Sequence, residues 1–324
     1  VDGLTEELKG KFDHYRNIGV VDDEQAADMI ERDGIDILID LAGHTAGNRL
    51  GILARKPAPI QVSFLGYPDT TGMKQVDYRI TDIHAEQGDA QRYYCEKLMF
   101  MEGGFLCYRP PRTDVAIGSP PVSRRGSVTF GSFNNSSKIN PAVMSLWAEV
   151  LRKNPDSRMV LKFSGGGDEM VRRHYLGQFE RLGVEPERVE IYGWLEVREH
   201  FGLYNEVDIG LDTYPYHGTT TTFEALWMGV PVITLVGAHH ASRVGNSILH
   251  RIGLDYFAAK SPAEFVARAT ALASKPDALG KIRMSMRQRM LAGGLCDGKS
   301  YTRQLEQSYR SAWQSWCRRR ASVV

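Results

Sequence analysis

The stretch PYHGTTTTFEALWMGVP, residues 215–231, sets four threonines directly after Gly218, where an apolar helix begins. Threonine is a mediocre helix former because its β-branch restricts χ1 against the preceding turn, so a run of four needs a reason beyond propensity. A helix N-terminus presents free N–H groups and a partial positive charge, which suit phosphate oxygens. Gly218 lets the backbone approach closely, and the hydroxyls of Thr219, Thr220 and Thr221 add donors to the same anion. Glu224 shares a helix face with Thr220 and Thr221, where a carboxylate can accept hydrogen bonds from ribose hydroxyls. A plainer reading also holds: Thr221-x-x-Glu224 is a capping box, which accounts for two of these residues and leaves the other threonines unexplained.

Other polar groups fall on loops of the same kind. In GSFNNSSKINP (131–141), Lys138 follows Asn134, Asn135 and two serines, and a lysine facing the rim can neutralise a departing diphosphate. The plainer alternative is a solvated loop lysine. WLEVREH (194–200) brings Leu195 and His200, the latter either a helix-surface histidine or a ring stacked on a base. His44 of AGHTAGNR (42–49) sits in a glycine-rich loop at a strand's carboxyl end, facing an expected interdomain cleft. LGYPDTTG (65–72) repeats that placement. Gly66 and Pro68 lie in it, and Tyr216 and His217 directly precede Gly218 in the threonine loop. No Asp-x-Asp lies on a strand-end loop, and no histidine–carboxylate cluster has ligand spacing, so neither metal nor other cofactor is expected.

The elements that must position these groups alternate in kind. IDILIDLAG (35–43), PIQVSFLGYP (59–68) and VDYRITD (76–82) read as strands among helical segments, as in a parallel sheet with crossovers. The proline-rich 108–127 lacks periodicity and reads as a linker. SVTFGSF, SRMVLKFSG, RVEIYGW, VDIGLDT and VPVITLVG then alternate with helices, and helices over 262–274, 278–292 and 300–318 close the chain. The expected organisation is an incomplete first domain over 1–110, a linker over 111–126, a nucleotide-sugar-binding domain over 127–298 and a C-terminal helix over 299–324. The first domain lacks the opening strand and phosphate-facing loop of a doubly wound fold, so the chain is expected to enter it partway. In open α/β sheets ligands bind outside the carboxyl ends of the strands, so the three loops of the second domain should share one rim.

The 324 residues carry a net charge of +1, which gives no electrostatic case for nucleic acid or an acidic membrane. There is no apolar run of membrane-spanning length and no signal-peptide pattern. Four cysteines without C-x-x-C spacing read as free thiols of a reducing, cytoplasmic compartment.

Taken together, RKPAPIQVSFLGYPDTTG, VDYRITD, GGFLCYRP, VTFGSFNNSSKINP, LDTYPYHGTTTTFEALWMGVPVITL and SRVGNSILHRIGL resemble the catalytic region of the O-GlcNAc transferase/SPINDLY family, family 41 of the glycosyltransferases. The resemblance runs from about Asp36 to the final helix. It implies a GT-B fold, two facing Rossmann-like domains with parallel sheets, and inverting, metal-free transfer of a sugar from a nucleotide-sugar to serine or threonine hydroxyls of intracellular proteins. It also implies tetratricopeptide repeats upstream. Lys138 matches the lysine that stabilises the leaving diphosphate, Asn134 and Asn135 the neighbouring nucleotide contacts, and His200 the histidine beside the base. Thr220 and Thr221 match the diphosphate threonines, and Glu224 stands for the aspartate that holds the ribose in animal enzymes. The resemblance also implies that Gly66, Pro68, Tyr216 and His217 lie on the sugar and acceptor side. Those enzymes have histidine at the place of Thr219 and glycine at the place of Asp69. FGSFNN, FLCY and TTTTFE are closer to the SPINDLY branch, whose plant members use GDP-fucose. UDP-GlcNAc is the first expectation for the donor and GDP-fucose the alternative. A nucleotide-sugar epimerase would need a carboxylate pair that the sequence does not offer, and a truncated, inactive nucleotide-binding scaffold is the remaining alternative.

Overall fold

The computed structural model describes residues 3–322, and the chain divides into two compact units. One comprises the residues through Ile80, Gln91–Leu98 and the chain from Tyr309 onward; the other comprises Thr81–Ala90 and Met99–Ser308. The division thus falls earlier than residues 111–126, and that proline-rich stretch lies within the second unit. The reason is side-chain anchoring, which proline content does not reveal. Gly118 N–H donates to Asn205 Oδ1 at 2.8 Å and Val122 N–H to Asp208 at 3.1 Å. The buried Arg283 donates from Nε to the Gly118 carbonyl at 2.9 Å.

The first sheet runs in the order β1 (Ile37–Asp40), β2 (Ile60–Ser63), β3 (Tyr78–Thr81), β4 (Lys97–Phe100). β1 pairs β2 and β2 pairs β3 in parallel, with Ile39 opposite Val62. β2 and β3 are buried along their length and β1, at the edge, is half-buried, as a parallel sheet requires. β4 escaped the sequence reading: it is four residues long and its two ends are exposed. The helix Asp23–Arg32 starts at a reciprocal capping box between Asp22 and Gln25 and packs Ala26, Ala27 and Ile30 with Ile52.

The second sheet has the order β10 (Ala258–Ala259), β9 (Val232–Leu235), β8 (Ile209–Leu211), β5 (Thr129–Ser132), β6 (Arg158–Lys162), β7 (Val189–Tyr192). Every pair is parallel. The strand order reverses between β5 and β8, which makes their carboxyl ends the topological switch point. The helix Pro141–Lys153, capped by Asn140 with proline in its first turn, buries Trp147 completely, and the indole donates to the Asp212 carbonyl at 3.2 Å. Helices Pro262–Ala273, Pro276–Ala292 and Gly298–Ala321 end the chain close to their expected bounds. The four cysteines are free thiols. Among the described residues, no helix is long and apolar enough to cross a membrane.

Candidate functional site

The threonine run resolves into distinct roles. The helix spans Thr220–Trp227 with Thr219 at the cap position, and no side chain caps it. Thr221 Oγ1 donates to Asn134 Oδ1 at 2.9 Å, and Glu224 accepts from His200 Nε2 at 2.9 Å. Neither half of the capping box is made, so the capping reading falls. Thr222 is buried and Thr220 exposed. At Gly218 an added Cβ would lie 2.5 Å from Thr221 Oγ1 and 2.9 Å from Asn134 Oδ1, so no side chain fits where this backbone meets the helix start. Its N–H donates to Asp212 Oδ1 at 2.8 Å.

The loop after β5 meets this turn across the switch point. Asn135 accepts from Ser137 N–H at 3.0 Å and starts the short turn Ser136–Lys138. Lys138 Nζ donates to the His217 carbonyl at 2.7 Å and lies 3.7 Å from the centre of the Tyr216 ring. Burial holds the Lys138 pKa below that of an ordinary lysine, against the opposing charge of Asp212. His217 was expected to face sugar or acceptor; instead its ring is fully buried. Its Nε2–H donates to the Leu235 carbonyl at 2.9 Å, and Nδ1 accepts from Gly245 N–H at 3.1 Å. Burial pushes its pKa down. The imidazole therefore braces the turn, and only the His217 backbone takes part in the lysine contact.

The loop after β7 supplies the third wall. Leu195 and His200 are half-buried, and His200 tilts against Phe133 at 5.9 Å. Because its Nε2–H faces Glu224, Nδ1 is left buried without a partner. Three further residues join this site that the sequence reading did not single out. Tyr204 is buried, its hydroxyl donates to the Glu224 carboxylate at 3.4 Å, and burial raises its pKa well above the phenol range. Lys162, at the end of β6, is half-buried, and burial lowers its pKa against the opposing charge of Glu224. Asp212 orders the Gly218 turn. Their signals were faint: Tyr204 lies one helical turn after His200, and Asp212 and Lys162 are charged residues at the carboxyl ends of apolar strands.

In the first unit, His44 is exposed, its Nε2–H donates to the Thr71 carbonyl at 2.9 Å, and its ring meets Tyr67 edge-on at 5.1 Å. Thr71 is held by the fully buried Glu96, whose carboxylate accepts from Thr71 N–H at 2.6 Å, from the Thr71 hydroxyl and from Thr70 Oγ1 at 2.6 Å. Gly66 belongs to the same loop, where a Cβ would lie 1.8 Å from the Leu41 carbonyl oxygen; Pro68 is half-buried beside it. Among the described residues, no group of three or more His, Cys, Asp or Glu side chains is arranged to hold a metal ion.

The profile of glycosyl transferase family 41 matches residues 4–108 and 123–305. The "Probable UDP-N-acetylglucosamine--peptide N-acetylglucosaminyltransferase SPINDLY" of Petunia hybrida is 43% identical over 304 residues, covering 94% of this chain and 33% of that protein. A Thermobaculum terrenum O-GlcNAc transferase mutant, 34% identical, superposes with a TM-score of 0.93 over 98% of this chain and 60% of its own. The Thermosynechococcus elongatus sucrose-phosphate synthase shares the fold alone, with 12% identity and a TM-score of 0.53 over 79% of this chain and 68% of its own. The chain therefore has a GT-B fold and spans about a third of the length of the SPINDLY relative it matches.

Proposed function

The chain belongs to glycosyl transferase family 41, and on that premise we propose that it forms the catalytic region of an inverting, metal-independent protein O-glycosyltransferase. It would move a sugar from a nucleotide-sugar, UDP-GlcNAc as first choice, to serine or threonine hydroxyls of intracellular proteins. Tetratricopeptide repeats upstream would help to present those acceptors. The observation that carries this reading is the meeting of Lys138 with the uncapped threonine helix, where its ammonium lies 2.7 Å from the His217 carbonyl, next to Gly218.

The chemistry follows from that meeting. The acceptor hydroxyl oxygen bonds to the anomeric carbon on the face opposite the diphosphate. The carbon–oxygen bond to the diphosphate breaks, its electron pair stays on the departing phosphate, and the hydroxyl proton passes to a base. Lys138 and the N–H groups of the helix start meet the growing negative charge in a partly desolvated setting, where fixed donors are most effective. Thr219, Thr220 and Thr221 are assigned to the diphosphate and Glu224 to the ribose. Asn134, Asn135, Leu195 and His200 are assigned to the rest of the nucleoside. His44 is the second residue assigned to catalysis.

The SPINDLY-like details FGSFNN and TTTTFE support GDP-fucose as the second reading of the donor. The test is to incubate the full-length protein containing this chain with acceptor peptides and either UDP-GlcNAc or GDP-fucose, and to read peptide masses. An N-acetylhexosamine increment supports the first reading and a deoxyhexose increment the second. Nucleotide binding without any increment would leave a binding scaffold.

A further inference from the structure

We propose that Tyr216 is a positioning residue, whose ring face keeps the Lys138 ammonium protonated and aimed at the place of the diphosphate. The aim, though not the contact, rests on the function proposed above.

A lysine ammonium drawn out of water needs compensation, and among the described residues no carboxylate forms an ion pair with this one. Its contacts are the His217 carbonyl at 2.7 Å and the Tyr216 ring, 3.7 Å from ammonium to ring centre. Asp212 favours the charged form from further away, but its own oxygens already accept from Thr213 N–H, Gly218 N–H and Thr234 Oγ1. His217, the other titratable neighbour, turns its ring toward Leu235 and Gly245. The π face of Tyr216 is thus the electron-rich surface that lies directly against the ammonium.

The ring is presented by a rigid backbone. Asn140 Nδ2 donates to the Tyr214 carbonyl at 2.6 Å, Thr213 Oγ1 to the Tyr216 carbonyl at 2.6 Å, and His217 N–H to the Ala241 carbonyl at 2.9 Å. These bonds fix the backbone of residues 214–217. That side chain belongs to a residue 40% exposed, too open to serve as core packing, so replacing it should spare the fold.

The test is an NMR titration of the ligand-free full chain with lysines labelled at 13Cε, the Lys138 signal being assigned by its loss in Lys138→Arg. Tyr216→Phe keeps the ring face and should leave the Lys138 pKa where it is. Tyr216→Leu and Tyr216→Met should lower it by about 0.5–1 pH unit, the size of a partly desolvated cation–π contact. UDP and GDP, used as probes, should bind these two variants more weakly, and the deficit should widen as pH rises and the ammonium is lost. An unchanged Lys138 pKa in both variants would overturn the proposal, even if nucleotide binding fell. Failure of the wild type to bind either nucleotide would refute the proposed function instead, while the titration would still decide the role of Tyr216.

Discussion

Glu224 and His200 face each other at 2.9 Å, a carboxylate on the helix after β8 bonded to an imidazole on the helix after β7. Two helices that follow different strands thereby share one polar contact. The carboxylate is spent on the imidazole and on Tyr204, and not on the start of its own helix.

If Glu224 serves a ribose, its loss should separate nucleotides from bare phosphates. Glu224→Ala is expected to weaken UDP or GDP binding about tenfold, the scale of one hydrogen bond to a charged group, and to leave pyrophosphate affinity unchanged. Calorimetry with both ligands checks this. Equal losses for the two would move Glu224 out of the nucleoside's reach.

The threonines should divide in the same way. Thr220 is exposed, so Thr220→Ala should keep the ligand-free melting temperature and lose about tenfold in diphosphate affinity. Thr221→Val removes the donor to the buried Asn134 and should destabilise the unliganded protein by about 1–3 kcal/mol as well. Thermal unfolding and titration of both variants decide the assignment.

Lys138→Ala should cost about 10²–10³-fold in kcat with the fold intact, as loss of a fixed charge contact at a leaving group does. Since burial lowers its pKa, the ammonium is lost at a lower pH than that of an ordinary lysine, and turnover should fall on the alkaline side below that value. Lys138→Arg should remove that alkaline fall, because guanidinium stays charged. The kcat–pH profiles of the full-length protein test both statements.

Turnover should survive excess EDTA, since Lys138 and the helix start are assigned the leaving group's charge. Loss of activity that added Mg²⁺ or Mn²⁺ restores would refute the metal-independent reading.

His217 gives the stability of the second unit a pH dependence of known sign. Its folded-state pKa is depressed below the unfolded value, near 6.5, because the buried ring is held neutral. Its contribution is complete above that value and is lost as pH falls through the folded-state pKa. His217→Ala should be less stable at pH 7 by about 1–3 kcal/mol, yet lose less stability on acidification. Urea unfolding at a series of pH values measures both effects.

What the sequence disclosed followed periodicity and chain order. β5 to β9 and the closing helices showed as apolar runs with helical segments between them, and the parallel rule placed their loops on one rim. β4 and the two-residue β10 were too short to produce a pattern. Side-chain direction was less legible. His217 stands among site residues in sequence, yet a hydrogen-bonded cage of Leu235, Thr234 and Gly245 takes its ring into the interior. Tyr204 reached the site by burial alone. Lys138 and Glu224 were found because charged residues at strand ends and helix starts are poor core material, so their placement already pointed outward.

Arg283 is 1% exposed, and its guanidinium serves the carbonyls of Gly118, Tyr204 and Val207 together with Asn205 Oδ1. A gene engineer who wished to express the second unit alone would be tempted to start it after the prolines. Such a clone would lack the Gly118 acceptor and leave a buried cation partly unserved. The serviceable start lies upstream of the prolines, since this stretch is part of the second unit and supplies an acceptor to its buried guanidinium.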